Sequence, residues 1–247
     1  MRTALSWVLA VGVLAAPAVA SAGRTPYGWL FGTEVMPERG AELQTWIDEE
    51  NGRGPADVHW TTWGFTALVG ITDQLELSLP LEFLWQDSEA SEPSFTFSQF
   101  GAEARYRFVS SDPLDAPPFA PLARLAVKRD VTVRDLVVVE ADLVVSTTTP
   151  SGSVSALVDL GVTAGITKDE QEIELRPGAG VSFRAVGDLR VGAEVFAEIN
   201  LDDSAQSWAA AGPNLAWSHG RFWLSAAFGI GVYHIETAPR VQWGIAF

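Results

Sequence analysis

The residues of this chain that could do chemistry are charged side chains at every second position of apolar stretches. Arg105 and Arg107 alternate with Ala104 and Tyr106, and several other stretches repeat this arrangement with both signs of charge. Because successive side chains of a β-strand point to opposite faces, each stretch would have one charged and one apolar face. Charged faces that meet inside a closed sheet could pair into a lattice of ion pairs that fills the interior. They could equally line a wetted channel that selects small solutes by charge.

We therefore predict that the charged faces line the lumen of a barrel. The predicted lumen-lining residues are Glu76, Glu82, Glu103, Arg105, Arg107, Arg124, Lys128, Glu140, Asp142, Asp159, Glu174, Arg176, Arg184, Arg190, Glu194 and Glu198.

An enzyme is an alternative, since outer-membrane lipases and lipid A-modifying enzymes place a Ser or an acid beside a His. The chain has three histidines, His59, His219 and His234, and neither a G-x-S-x-G nor an H-E-x-x-H motif. It has no cysteine, which excludes disulfides and thiolate metal sites. We assign no catalytic residue, cofactor-binding residue or metal ligand, and expect no cofactor.

The apolar faces are best explained by lipid. Leu75, Leu77, Leu79, Leu81, Phe83 and Trp85 share one face of a single stretch. About ten residues are enough for a tilted strand to cross a bilayer. The 10 Trp and 13 Phe would supply aromatic girdles at the two interfaces. A soluble lipocalin or sandwich would invert the pattern, with charges outward and an apolar interior.

The amino end predicts export. Arg2 precedes an apolar run from Ala4 to about Val19, and Ala20-Ser21-Ala22 is an A-x-A cleavage site. We expect a signal peptide at residues 1–22, an irregular leader at 23–40 on the periplasmic side, and a barrel at 41–247. The leader ends in the pattern T-x-x-x-P-x-x-G (Thr33 to Gly40), which resembles the start of many small proteobacterial outer-membrane barrels.

The carboxyl end predicts a strand that closes the barrel. Val241, Trp243, Ile245 and Phe247 alternate with polar or small residues. The stretch resembles the C-terminal signal of bacterial outer-membrane β-barrels, with Trp243 and Phe247 as the assembly signal. That resemblance implies recognition by the barrel-assembly machinery.

Two internal motifs carry a closer resemblance. Residues 70–77 read Gly-Ile-Thr-Asp-Gln-Leu-Glu-Leu, and residues 187–192 are a looser copy. The first resembles a hairpin motif of outer-membrane proteins, and is similar to the MetA-pathway (phenol-degradation) barrel family. This resemblance implies a transporter-like barrel.

The whole chain is expected to be all-β, forming a closed antiparallel transmembrane barrel of about twelve strands. The first strand, from Ala41 to about Asp48, alternates poorly, and a short helix is nearly as well supported there. The net charge of −15 argues against a nucleic-acid partner. We predict a passive channel in the bacterial outer membrane, in contact with outer-membrane lipid and lipopolysaccharide, for small solutes. A closed structural barrel and a lipid-modifying enzyme remain alternatives.

Overall fold

The computed structural model describes residues 25–53, 58–88, 91–110 and 117–247, so the predicted signal peptide lies outside the described residues. These residues form twelve strands. The strands are β1 (Ala41–Arg53), β2 (Val58–Gly70), β3 (Leu75–Ser88), β4 (Ser91–Arg107), β5 (Ala120–Asp130), β6 (Val137–Thr148), β7 (Val154–Ile166), β8 (Gln171–Val186), β9 (Leu189–Asn200), β10 (Trp208–His219), β11 (Phe222–Tyr233) and β12 (Thr237–Ala246).

The strands close into a single barrel in which every neighbouring pair is antiparallel. Sequential strands pair in order, and β1 pairs with β12 to complete the ring. At that closure Thr45 lies opposite Trp243, and the Phe247 N–H donates to the Ala41 carbonyl at 2.8 Å. The predicted closed antiparallel β-barrel is confirmed. Within the described ranges, no helix has the length and apolarity needed to cross a membrane.

The two ends of the barrel differ in their connections. One, the terminal end, carries Gly40, Phe247 and the connections that follow the even-numbered strands β2 to β10. Two of these are tight turns with a left-handed glycine, Gly187 (φ 55°) and Gly220 (φ 57°). Such hairpin turns need positive φ, which glycine adopts without steric cost. The opposite end, the loop end, carries the connections that follow β1, β3, β5, β7, β9 and β11.

The outer surface is apolar and the inner surface polar. On β3, the Leu79 side chain is 63% exposed, whereas the neighbouring Ser78 is 5% exposed and Glu76 is buried. Trp63, Phe65 and Phe83 form an outward-facing aromatic chain, with ring centroids 5.1 and 6.3 Å apart. This alternation is the reverse of a soluble barrel, and it suits a wall whose outside meets lipid.

The first strand is longer and more regular than its sequence indicated. Instead of ending near Asp48 or forming a helix, β1 continues to Arg53. Its outward face includes Thr45 and Glu49 beside Leu43 and Ile47. Both faces are therefore partly polar, and the sequence shows no clear alternation of apolar and polar residues. Ladders to β2 and β12 satisfy its backbone on both sides and override the weak pattern.

Candidate functional site

Part of the lumen is filled by a network of ion pairs centred on Arg124 of β5. Its guanidinium contacts Glu103, Glu140 and Asp142 at 2.8, 2.6 and 2.7 Å. Farther along the same inner face of β5, Lys128 contacts Glu82 at 2.8 Å and Glu140 at 2.7 Å. Because every one of these side chains is nearly buried, each charge requires its partners to remain ionised away from water.

A second network lies toward the loop end. Arg53 contacts Glu50 at 2.6 Å, Glu198 at 3.6 Å and Glu174 at 3.9 Å. Arg176 joins the two networks, since it lies 3.5 Å from Glu198 and 3.9 Å from Glu140. These contacts place charged residues of β1, β6, β8 and β9 on one continuous lumenal surface.

The leader, expected on the periplasmic side, lies inside the ring of strands from Thr25 to about Met36. Glu194 Oε1 accepts hydrogen bonds from the backbone N–H groups of Gly28 (3.0 Å) and Trp29 (3.2 Å). Asp159 Oδ2 accepts one from the Phe31 N–H at 3.0 Å. An irregular segment cannot pair its own backbone, and inward-facing carboxylates supply the missing acceptors. This position is a finding that the leader's composition did not indicate.

Further contacts fix the leader along its length. Near the terminal end, the Met36 N–H donates to Glu76 (2.7 Å), and Arg107 pairs with Glu34 (2.9 Å). Between these points and Phe31, Arg105 donates to the carbonyl of Gly32.

The aromatic residues of the leader pack into the lumen. The Trp29 ring stacks on Phe196 at 5.2 Å and meets Trp208 edge-on at 5.5 Å. The Tyr27 hydroxyl lies 3.2 Å from the carbonyls of Ser155 and Gly180, and burial raises the pKa of this phenol. The hydroxyl carries a single hydrogen, for which these two carbonyls are the available acceptors. The leader is a packed part of the interior.

A cavity of about 580 Å³ remains beside the leader. It reaches Leu68 and Trp223 toward the terminal end, and Leu136 and Glu172 toward the loop end. Its lining includes inward-facing residues of β12, β1, β2 and β3 and the leader residues from Gly28 to Gly32. The cavity therefore has lining residues near both ends of the barrel.

The structure places the predicted lumenal residues in two groups. Ten of them border the cavity, namely Glu76, Glu82, Glu103, Arg105, Arg124, Lys128, Glu140, Glu174, Arg176 and Glu198. The other six lie elsewhere. Asp142, Asp159 and Glu194 are buried against the Arg124 network or the leader, and Arg107 contacts Glu34. Arg184 is exposed near the turn after β8, and Arg190 bonds to Ser182, Ser155 and the Gly152 carbonyl.

Sequence reasoning missed several residues that border the cavity. Trp46, Asp48 and Glu50 lie on the inner face of β1, and Arg240 and Gln242 on that of β12. The alternation of the last strand did place Arg240 and Gln242 on its polar face, which is the signal that could have found them. The residues of β1 carried no such signal, because both faces of that strand are partly polar.

The three histidines lie apart from the networks. His59 Nδ1 lies 3.2 Å from Asn51 Oδ1, whereas His219 stacks on Trp217 and His234 on Tyr233. No group of three or more His, Asp or Glu suited to a metal ion occurs among the described residues.

Solved structures share this architecture at low sequence identity. A KdgM porin in complex with disordered oligogalacturonate matches with a TM-score of 0.57 and 9% identity, over 83% of this chain and 99% of that one. The COG4313 outer membrane channel from Pseudomonas putida F1 matches with a TM-score of 0.57 and 10% identity, over 87% and 98%. The β domain of the Bordetella autotransporter BrkA has a TM-score of 0.54 and 10% identity, over 84% and 99%.

The fold is that of a bacterial outer-membrane β-barrel. Residues 124–232 also match the model of a family of unknown function, DUF6662. The matched residues include β6 to β10 and most of β5 and β11. No curated protein matches the sequence. Identities near 10% establish the shared fold and leave the solute to be argued from this chain's own residues.

Proposed function

We propose that the protein is a passive outer-membrane channel for small solutes that pass through the lumen beside the leader. The observation that carries this proposal is the cavity of about 580 Å³, which touches residues near both ends of the barrel. Its wall of charged and polar side chains would keep such a path hydrated. Two of the similar solved structures are a porin and a channel, which agrees with the proposal.

Several expectations from the sequence belong to the same proposal. We infer that residues 1–22 are a signal peptide and that Trp243 and Phe247 are read by the assembly machinery. The acidic loop end would then face the outside and its lipopolysaccharide. The resemblance of residues 70–77 to the MetA-pathway barrel family is a further part of this hypothesis.

A closed barrel without conductance is the second candidate. The docked leader favours it, because the segment from Thr25 to Met36 and the Arg124 network together occupy much of the lumen. In that case the cavity would be a hydrated pocket on one side of a plugged barrel.

Single-channel recording in a planar bilayer separates the two candidates. The purified full-length protein should give discrete conductance steps in KCl. A silent bilayer, from protein whose gel mobility changes on boiling and which is therefore folded, would reject the channel and leave the closed barrel.

A further inference from the structure

In the described part of the chain, Trp46 is a lumenal aromatic ring without the cation that lies over each of four other lumenal rings. Four lumenal guanidiniums lie over aromatic rings, namely Arg53 on Trp60 at 4.7 Å, Arg124 on Phe31 at 4.0 Å, Arg176 on Phe196 at 5.5 Å and Arg240 on Trp29 at 5.3 Å. Trp46, on the inner face of β1, borders the cavity. Among the described residues, no cation and no other ring lies against it.

The orientation of Trp46 is set by a glycine on the next strand. Gly64 of β2 lies directly opposite Trp46, and a Cβ added at residue 64 would lie 1.9 Å from Trp46 Cε2. The indole therefore occupies the space that a side chain at residue 64 would take. Trp46 also borders the cavity, so a ligand in the cavity can reach it.

A carboxylate with a single ion-pair partner within the described ranges lies two residues along the same inner face. Asp48 is 9% exposed and borders the cavity. Its one charged contact among the described residues is Arg240, directly across the ladder, at 4.0 Å. The Arg240 guanidinium also lies over Trp29, and its buried Nε has no hydrogen-bond partner, so the ion pair with Asp48 is long and lacks a hydrogen bond.

From this geometry we propose that Trp46 and Asp48 form a binding site for a small organic cation of the quaternary ammonium class. The ring face attracts a large, weakly hydrated cation, and indole is the best of the aromatic side chains for this purpose. Asp48 supplies the compensating charge from the same strand. Such a cation would take at Trp46 the place that guanidiniums take at the other four rings. The site names a solute class for the proposed channel, and its occupancy can be measured without conductance.

Choline is a suitable probe, and 3,3-dimethylbutan-1-ol is its uncharged isostere. Isothermal titration of the full-length protein in detergent should show saturable choline binding and at least about tenfold weaker binding of the isostere. Asp48→Asn and Trp46→Leu should each weaken choline binding by about tenfold or more. Asp188→Asn removes one exposed carboxylate from the β8–β9 turn and should leave binding unchanged.

One further variant should raise choline affinity rather than lower it, which distinguishes loss of the site from damage to the fold. Arg240→Gln removes the cation opposite Asp48 and should tighten choline binding several-fold, an effect that damage to the barrel would not produce. Equal binding of choline and its isostere, or unchanged binding in Asp48→Asn, would overturn the site. Conductance in a protein that does not bind choline would also reject the site while retaining the channel. Binding by a silent barrel would retain the site and reject the channel.

Discussion

Replacing a single charged residue in this lumen should cost much stability, because its ion-pair partners are buried away from water. Arg124 holds three carboxylates, of Glu103, Glu140 and Asp142, within 2.8 Å. Removing one partner of a buried ion pair leaves the others uncompensated, which costs far more than the pair contributes when intact. The same loss at an exposed pair costs little, because water screens it.

We therefore predict that Arg124→Met lowers the free energy of unfolding by about 3–5 kcal/mol. Arg134→Met is the matched control, since that side chain is 92% exposed where it meets Asp135, and it should have no measurable effect. Urea titrations of both variants in lipid vesicles test this. A similar loss in both, or in neither, would contradict a stabilising role for the buried network.

The inward or outward direction of a side chain can also be tested at adjacent residues. An Arg on the lipid face near the bilayer midplane costs about 2–4 kcal/mol, whereas a lumenal Arg can be hydrated or paired. Leu79→Arg should therefore reduce the folded fraction, and Ser78→Arg should reduce it much less. The band that shifts on boiling measures this fraction, and equal tolerance would mean that the two faces are assigned wrongly.

Among the elements, the leader is the one whose position depends on contacts with many different strands. Its backbone is held by Glu194 of β9 and Asp159 of β7, and its Gly28 lies so close to β11 that a Cβ there would be 2.6 Å from that of Ala227. Weakening the two carboxylate acceptors should release the leader while the barrel stays closed.

The absence of native cysteine makes that release measurable with one introduced thiol. Leu30→Cys should react slowly with a maleimide, because residue 30 is fully buried. Adding Glu194→Ala and Asp159→Ala should accelerate labelling at least about tenfold. Glu38→Cys, at an exposed position, should react rapidly in both backgrounds. Fast labelling of Leu30→Cys in the otherwise native chain would show that the leader is not docked.

The sequence predicted elements well where one face is uniformly apolar. Strand β3 (Leu75–Ser88) contains the whole apolar face predicted from Leu75 to Trp85, because every second residue of that stretch is large and apolar. Strand β1 was poorly predicted because its two faces differ little in polarity. Neither the docking of the leader inside the barrel nor the position of the Trp46 ring over Gly64 could be predicted. The groups that hold the leader lie on several strands that are far apart in sequence. The position of the Trp46 ring depends on a glycine in another strand.

At the scale of the whole molecule, the net charge of −15 is distributed unevenly. Glu50, Glu170 and Glu172 border the loop end of the cavity, and Asp202 and Asp203 follow β9 at that end. Like charges around a low-dielectric opening concentrate cations and repel anions.

We predict a cation preference that weakens with salt. Reversal potentials across a KCl gradient should favour K⁺ at low ionic strength. The preference should decrease as the Debye length falls from about 30 Å at 0.01 M to about 3 Å at 1 M. Joint replacement of Asp87, Glu92, Asp202 and Asp203 by their amides should reduce it. Anion preference in the native protein, or an unaltered preference in the variant, would contradict a role for the acidic loop end.

The docked leader also bears on the order in which the chain folds. Its hydrogen bonds join residues as far apart as Tyr27 and Gln242, or Gly28 and Glu194, which lie 215 and 166 positions apart in sequence. Such contacts can form only when the last strands are in place, so docking must follow or accompany closure of the ring. Interactions made after the rate-limiting step slow unfolding without speeding folding. The docked leader should therefore mainly slow unfolding, which lengthens the lifetime of the closed barrel.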